Sequence, residues 1–160
     1  MKLYVDTGLL AAYYTPEPLS GEVEALLQAF PGPAVSDLTE VELLATLTRK
    51  VRAAGLAASD AQRIRMLFLA HLEDGLYTRL PLRRRHYQLA REWVGRGTVP
   101  LDAAVALHLA AAALAERSLA TSDPALIDAG RELGVDVLPV GIPEGEEVLT
   151  VHEQSLALFD

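Results

Sequence analysis

Short apolar runs alternate with longer amphipathic segments along the chain, which is the pattern of strands separated by helices. The first run, residues 2–5, has no polar alternation and predicts a strand buried on both faces. Further runs at 34–36, 76–82, 118–121 and 135–140 predict four more strands. This order indicates an α/β fold with a central parallel sheet of four or five strands and helices on both faces.

Segments with helical periodicity fill the intervals between these strands. We expect Ser20, and then either Ser59 or Asp60, to act as N-caps, and Gly55 to stop the helix before it. The helix that starts at Asp102 is rich in Ala and Leu on nearly all sides, so we expect it to be central. The predicted helices span 7–14, 20–30, 36–54, 60–72, 83–94, 102–117 and 123–133.

A length of 160 residues and a hydrophobic content of 51% predict one globular domain and exclude a disordered chain. We assign residues 1–140 to this domain and 141–160 to a C-terminal tail that packs on it or on a partner. The chain has no cysteine, which excludes disulfides and thiolate zinc sites.

No leader peptide or membrane span is predicted. The longest apolar run, 103–115, contains His108 and falls short of the ~18 residues that a span requires. We therefore expect a cytoplasmic protein with no membrane partner. His108 itself is expected to be a hydrogen-bonded core or interface residue in preference to a metal ligand, because no second histidine lies at ligand spacing.

The net charge of −8 is unevenly distributed. Residues 49–96 contain 11 basic and 4 acidic side chains, and the remainder contains 3 basic and 18 acidic ones. An acidic site beside a basic surface suits an enzyme that holds cations and binds a polyanion. Solvated helix faces explain the same pattern equally well.

Four carboxylates stand at the ends of predicted strands or in the first turns of the helices that follow: Asp6, Glu42, Asp102 and Asp123. In a parallel sheet these positions share one edge, so the side chains can converge. Clustered carboxylates repel one another, and a hard divalent cation such as Mg²⁺ relieves that repulsion. For Asp102 and Asp123, helix capping is an equally simple explanation, whereas Asp6 closes an apolar strand and is harder to explain that way.

Four segments resemble the motifs of PIN domains, above all the VapC-type toxins of bacterial toxin–antitoxin pairs. Residues 5–10, VDTGLL, resemble the opening of the family, and 36–43, SDLTEVEL, its second motif. Residues 107–112, LHLAAA, are similar to its central helix, and 119–123, LATSD, to its last motif.

The resemblance implies a PIN-like three-layer α/β/α fold and a ribonuclease that depends on Mg²⁺ or Mn²⁺. It also implies an RNA substrate, a homodimer and an antitoxin that blocks the site. The metal and catalytic residues would be Asp6, Glu42 and Asp123, with Asp102 as a fourth, and Thr7 and Thr121 would hydrogen-bond to carboxylates or metal-bound waters.

One position departs from the family pattern. The family usually has Asp three residues before the histidine of the central helix, where this chain has Val105. Asp102 lies one turn earlier and either replaces that acid or leaves the site one acid short. The rival functions are a catalytically silent PIN-like module that binds RNA or protein, and a phosphatase-like hydrolase with Asp6 as nucleophile. The second ranks low because Gly8 stands where a second Asp is expected.

Arg83, Arg84 and Arg85, followed by Tyr87, form the strongest basic cluster. The arginines are candidates for binding RNA phosphates, and Tyr87 for stacking on a base. A solvated helix start is the simpler explanation of the cluster. Positive charge at a helix N-terminus is unfavourable for the helix dipole, which favours some other use.

Overall fold

A computed structural model describes residues 1–141 of the chain. The sheet has five strands: β1 (Leu3–Val5), β2 (Ala34–Ser36), β3 (Thr78–Leu80), β4 (Ser118–Thr121) and β5 (Val137–Pro139). The seven helices are α1 (Thr7–Tyr14), α2 (Ser20–Ala29), α3 (Asp37–Arg52), α4 (Ala58–Glu73), α5 (Arg84–Arg96), α6 (Ala103–Leu114) and α7 (Pro124–Glu132).

The strands are all parallel and lie in the order β3-β2-β1-β4-β5, so β1 is central. Tyr4 pairs with Ala34 on one side and with Leu119 on the other. The C-terminal ends of the strands therefore form one edge of the sheet, called here the carboxyl edge. The predicted parallel α/β sheet is confirmed, with five strands.

Side chains of β1 alternate between two hydrophobic cores, one on each face of the sheet. Leu3 and Val5 pack with residues of α1 to α4, including Phe68. Tyr4 packs with residues of α5 to α7, including Trp93 and Leu109. The fold has three layers, and α6 is central as expected, with five consecutive residues from His108 to Ala112 buried.

Several predicted helix caps are wrong. The Ser20 hydroxyl donates to the carbonyl of Ala12 and accepts from the amide of Glu17, and it does not cap α2. Helix α4 begins at Ala58, before both predicted caps, and has no side-chain cap. Helix α3 ends at Arg52, and the left-handed residue after it is Ala54, with φ 57°, and not Gly55.

Three elements are shorter than predicted. Strand β3 ends at Leu80, and the amide of Leu82 bonds to Asp37 at 2.9 Å. Helix α6 ends at Leu114, before a turn in which Glu116 has φ 52°. Strand β5 begins at Val137, because the amide of Val135 bonds to the end of α7.

The described residues contain no helix that could cross a bilayer. The C-terminal tail was predicted to pack on the domain or on a partner, and residues 142–160 lie outside the described residues.

Candidate active site

Asp6 lies directly after β1, at the centre of the carboxyl edge, and its side chain is only 4% exposed. It is the N-cap of α1, where Oδ1 accepts the amide of Leu9 at 2.8 Å. Oδ2 accepts a hydrogen bond from the Thr121 hydroxyl. Burial raises the pKa of Asp6, and the nearby charge of Asp123 raises it further, although the two hydrogen bonds and His108 oppose the shift.

Thr121 and Asp123 bring the end of β4 to the same place. The Thr121 hydroxyl that donates to Asp6 also accepts the amide of Asp123 at 3.0 Å. Asp123 is exposed and caps α7 through the amide of Ala125 at 2.9 Å. A single hydroxyl therefore ties the loop that carries Asp123 to the carboxylate of Asp6.

Glu42, in the second turn of α3, is held by two other helices. Its Oε1 accepts the Thr7 hydroxyl of α1 at 2.9 Å and bonds to Nε2 of His108 in α6. Burial raises the pKa of Glu42, but the hydrogen bond and charge of His108, the Thr7 hydroxyl and Arg49 outweigh it, so the net pKa is lowered. Glu42 is therefore ionised at neutral pH.

A buried hydrogen-bond network stands behind Glu42. His108 is 5% exposed, and its Nδ1 lies 2.7 Å from the hydroxyl of Tyr4. The expectation that His108 is a hydrogen-bonded core residue is confirmed, but its link to Glu42 was missed. A tyrosine in a fully buried strand and a histidine on an apolar helix both require buried partners, and that requirement was the available signal.

Asp102 is the N-cap of α6, where its Oδ1 accepts the amide of Val105 at 2.8 Å. It is exposed and stands one turn from Val105, which is partly buried. The hydrogen bond to the Val105 amide confirms that Asp102 caps the helix. Both residues also line the same cavity as Asp6, so Asp102 lies at the site as well. Its role in binding metal remains a prediction.

These side chains surround a cavity of about 270 Å³ at the carboxyl edge. Across residues 1–141, no three acidic or histidine side chains stand close enough to form a ready-made metal cage. The lining residues are Asp6, Thr7, Gly8, Glu42, Asp102, Ala104, Val105, His108, Ser122, Asp123 and Leu126.

The donor set nevertheless fits a hydrated hard cation. Mg²⁺ keeps several waters and needs only one or two carboxylates from the protein. Each oxygen of Asp6 accepts one hydrogen bond, and a carboxylate oxygen can accept two. Gly8 also leaves the carboxylate uncovered, because a Cβ there would contact Oδ1 at 3.6 Å and Oδ2 at 3.8 Å.

A family model, the PIN domain, matches residues 3–132. The chain belongs to the PIN domain family. No curated protein matches it. The family prediction made from the sequence motifs is therefore confirmed.

Solved PIN domains of toxin–antitoxin systems share the fold. FitAcB from Neisseria gonorrhoeae is 20% identical with a TM-score of 0.60, covering 85% of this chain and 96% of that one. VapC20 from Mycobacterium tuberculosis, a sarcin-ricin loop cleaving toxin, is 18% identical with a TM-score of 0.63, covering 81% and 95%. VapBC2 from Rickettsia felis, bound to a DNA fragment of its promoter, is 14% identical with a TM-score of 0.63, covering 88% and 99%.

The arginines at the start of α5 lie at the same edge of this PIN domain as the cavity. Arg83, Arg84 and Arg85 follow β3 and are exposed, and Tyr87 is 52% exposed. They lie beyond the cavity lining, because β3 is two strands from β1, about 10 Å across the sheet. His86 between them is buried and caps the helix.

Proposed function

We propose that this PIN domain is a divalent-metal-dependent endoribonuclease and the toxin of a type II toxin–antitoxin pair. The observation that carries the proposal is the carboxylate of Asp6, buried at the end of the central strand and flanked by Glu42 and Asp123 in one cavity. A buried carboxylate with a raised pKa is unfavourable in the folded protein unless a cation compensates for it. PIN domains are generally nucleases, which supports the same function.

Asp6, Glu42 and Asp123 would hold Mg²⁺ or Mn²⁺, with Asp102 as a fourth carboxylate at the rim. When bound, the ion would activate water and neutralise charge on the phosphate. Thr121 and Thr7 keep the carboxylates in place through the hydrogen bonds described above. The products would carry a 5′-phosphate and a 3′-hydroxyl.

The exposed arginines of α5 would bind the phosphates of RNA that enters this cavity, and Tyr87 would stack on a base. They stand at the carboxyl edge, where an RNA strand can reach the carboxylates and the arginines together. The partners proposed are RNA in the cytoplasm, a second copy of the chain in a homodimer, and an antitoxin. The assembly with antitoxins rests on the toxin–antitoxin complexes among the structural neighbours.

A catalytically silent binding module is the alternative, and Val105 favours it. Its side chain lines the cavity at the position where the family usually has an acid. Such a protein would bind RNA or a protein partner through the same surface without cutting the RNA.

Cleavage of a structured RNA by the full chain, with Mn²⁺ and with EDTA, tests the proposal. We expect cleavage in Mn²⁺ that EDTA abolishes, and we expect Asp123→Asn and Asp6→Asn to remove it. Asp74→Asn is the matched control, because Asp74 is exposed after α4 at the opposite edge of the sheet. Binding of RNA without cleavage in any divalent metal would support the silent module instead.

A further inference from the structure

The network behind Glu42 connects three elements of the fold. The Tyr4 hydroxyl of β1 lies 2.8 Å from Oγ of Ser36 and 3.3 Å from Oγ1 of Thr39, at the start of α3. The same hydroxyl contacts Nδ1 of His108 in α6 at 2.7 Å. His108 then bonds through Nε2 to Glu42. A continuous path of hydrogen bonds thus runs from the buried centre of the sheet to a carboxylate in the cavity.

The surrounding bonds show which groups of this path can donate. Ser36 Oγ accepts the Thr39 amide at 3.4 Å, and Thr39 Oγ1 accepts the Ser36 amide at 3.2 Å. Both hydroxyls, which also lie 3.3 Å from each other, can donate to the oxygen of Tyr4. Burial raises the pKa of Tyr4 to about 12, so its hydroxyl keeps its proton at neutral pH. The ionised carboxylate of Glu42 can only accept, so Nε2 of His108 is the donor in the bond between them.

The path fixes the orientation of one carboxylate. Glu42 is about one-third exposed, and without partners its flexible side chain would sample several rotamers. Donors from two different helices, Thr7 and His108, converge on the same oxygen, Oε1. Within residues 1–141 no hydrogen bond engages Oε2, which leaves that oxygen available to a ligand.

We propose that His108 and Tyr4 are positioning residues that hold Glu42 in the orientation the metal needs. This inference rests on the proposed function, since it concerns the same cavity. It explains how the site works with Val105 in place of an acid. A site with fewer carboxylates depends more on each of them to bind the metal. Glu42 must therefore be held in position by its neighbours. His108 acts through Glu42 and is not a metal ligand.

The test compares three variants of the full chain by titration with Mn²⁺ in the absence of RNA. His108→Leu removes both hydrogen bonds of the ring. His108→Gln is the conservative variant, because its amide can donate to Glu42 while its carbonyl accepts from Tyr4. Tyr4→Phe removes only the hydroxyl. Circular dichroism and thermal melting show which variants are folded, and Glu42→Gln provides the background for a double-mutant cycle.

We expect His108→Leu to weaken Mn²⁺ binding about tenfold, the low end for a residue that orients a metal ligand. Tyr4→Phe should weaken it less, and His108→Gln should restore most of the affinity. In the Glu42→Gln background the loss from His108→Leu should largely disappear. With RNA present, kcat should fall with the Mn²⁺ affinity while KM for RNA stays constant. In metal-free protein, ¹⁵N shifts of the ring should show a protonated Nε2.

Equal Mn²⁺ affinity in all folded variants overturns the inference. An equal loss of Mn²⁺ affinity from His108→Leu in the wild-type and Glu42→Gln backgrounds overturns it as well. If His108→Leu does not fold, Tyr4→Phe and His108→Gln decide the result by the same comparison. A wild-type protein that binds Mn²⁺ but cuts no RNA refutes the proposed function alone, and the affinities then still decide the role of His108. A wild-type protein that binds no Mn²⁺ overturns both.

Discussion

The hydroxyl of Thr121 donates a hydrogen bond to the carboxylate of Asp6, and so joins the ends of β1 and β4 at the candidate active site. The same oxygen accepts the amide of Asp123 at 3.0 Å. Two of the proposed metal ligands are thus oriented through one side chain, and removing its hydroxyl should affect both.

Thr121→Val should destabilise the protein and weaken Mn²⁺ binding together. Loss of a hydrogen bond to a buried carboxylate costs about 1.5–3 kcal/mol. Because the Thr121 hydroxyl lowers the pKa of Asp6, that pKa should rise further in the variant. Urea unfolding and Mn²⁺ titration measure the two effects. Thr121→Ser keeps the hydroxyl and should retain both properties, and a Thr121→Val protein with wild-type Mn²⁺ affinity would contradict the arrangement.

Asp6→Asn should stabilise the metal-free protein at neutral pH. The pKa of Asp6 is higher in the folded than in the unfolded chain, so its contribution to the stability of the fold is fully present below the ordinary pKa of 3.8. This contribution is lost as the pH rises through the pKa that Asp6 has in the folded protein. In EDTA, the gain in unfolding free energy from Asp6→Asn should therefore be larger at pH 7 than at acidic pH. A gain that does not depend on pH would show that Asp6 is not penalised by burial.

Gly8→Ala should separate stability from function. Gly8 lies in the first turn of α1, where alanine is favoured over glycine by about 0.5–1 kcal/mol. The new methyl group would contact Oδ1 of Asp6 at 3.6 Å and cover the carboxylate from solvent. We expect a higher melting temperature in EDTA and a weaker affinity for Mn²⁺. Gly21→Ala, in the first turn of α2 where a Cβ meets nothing within 4 Å, is the control for the helix effect alone.

Val105→Asp should strengthen Mn²⁺ binding, because it adds a carboxylate to the cavity lining at the position where PIN domains usually have one. The extra charge repels Asp6 and Glu42, so the metal-free protein should become less stable. Calorimetric titration and melting with and without Mn²⁺ measure both changes. Val105→Asn introduces a side chain of the same shape without charge, and equal behaviour of the two variants would refute the electrostatic explanation.

Replacing Arg84 and Arg85 together by alanine should weaken RNA binding without changing Mn²⁺ affinity. Each lost phosphate contact lowers the slope of log K against log salt by about 0.7 for a single strand. Filter binding with an uncleaved RNA across a salt series measures that slope in metal-free buffer. Arg63→Ala removes an exposed arginine of α4, on the other face of the sheet, and should leave both quantities unchanged.

The positions of Asp6, Glu42 and Asp123 were predictable because parallel strands end at one edge, and the sequence marks where each strand stops. The hydrogen bonds of Ser20 were not predictable. Its hydroxyl donates to the carbonyl of Ala12, eight residues earlier, in a bend that helix propensities do not describe. The contact of Tyr4 with His108 joins residues 104 positions apart. The sequence pattern indicates that Tyr4 and His108 need hydrogen-bond partners, but only the packing of the layers determines which partners they find.

The central position of β1, between β2 and β4, has a consequence for synthesis. Residues near the start of the chain supply Asp6, but Thr121 follows it by 115 positions. A nascent chain therefore cannot complete the site until β4 has left the ribosome exit tunnel, even if the earlier elements have already folded. A polypeptide released early, before residue 121, would lack both Thr121 and Asp123. Truncated translation products of this protein should consequently lack the activity of the complete site.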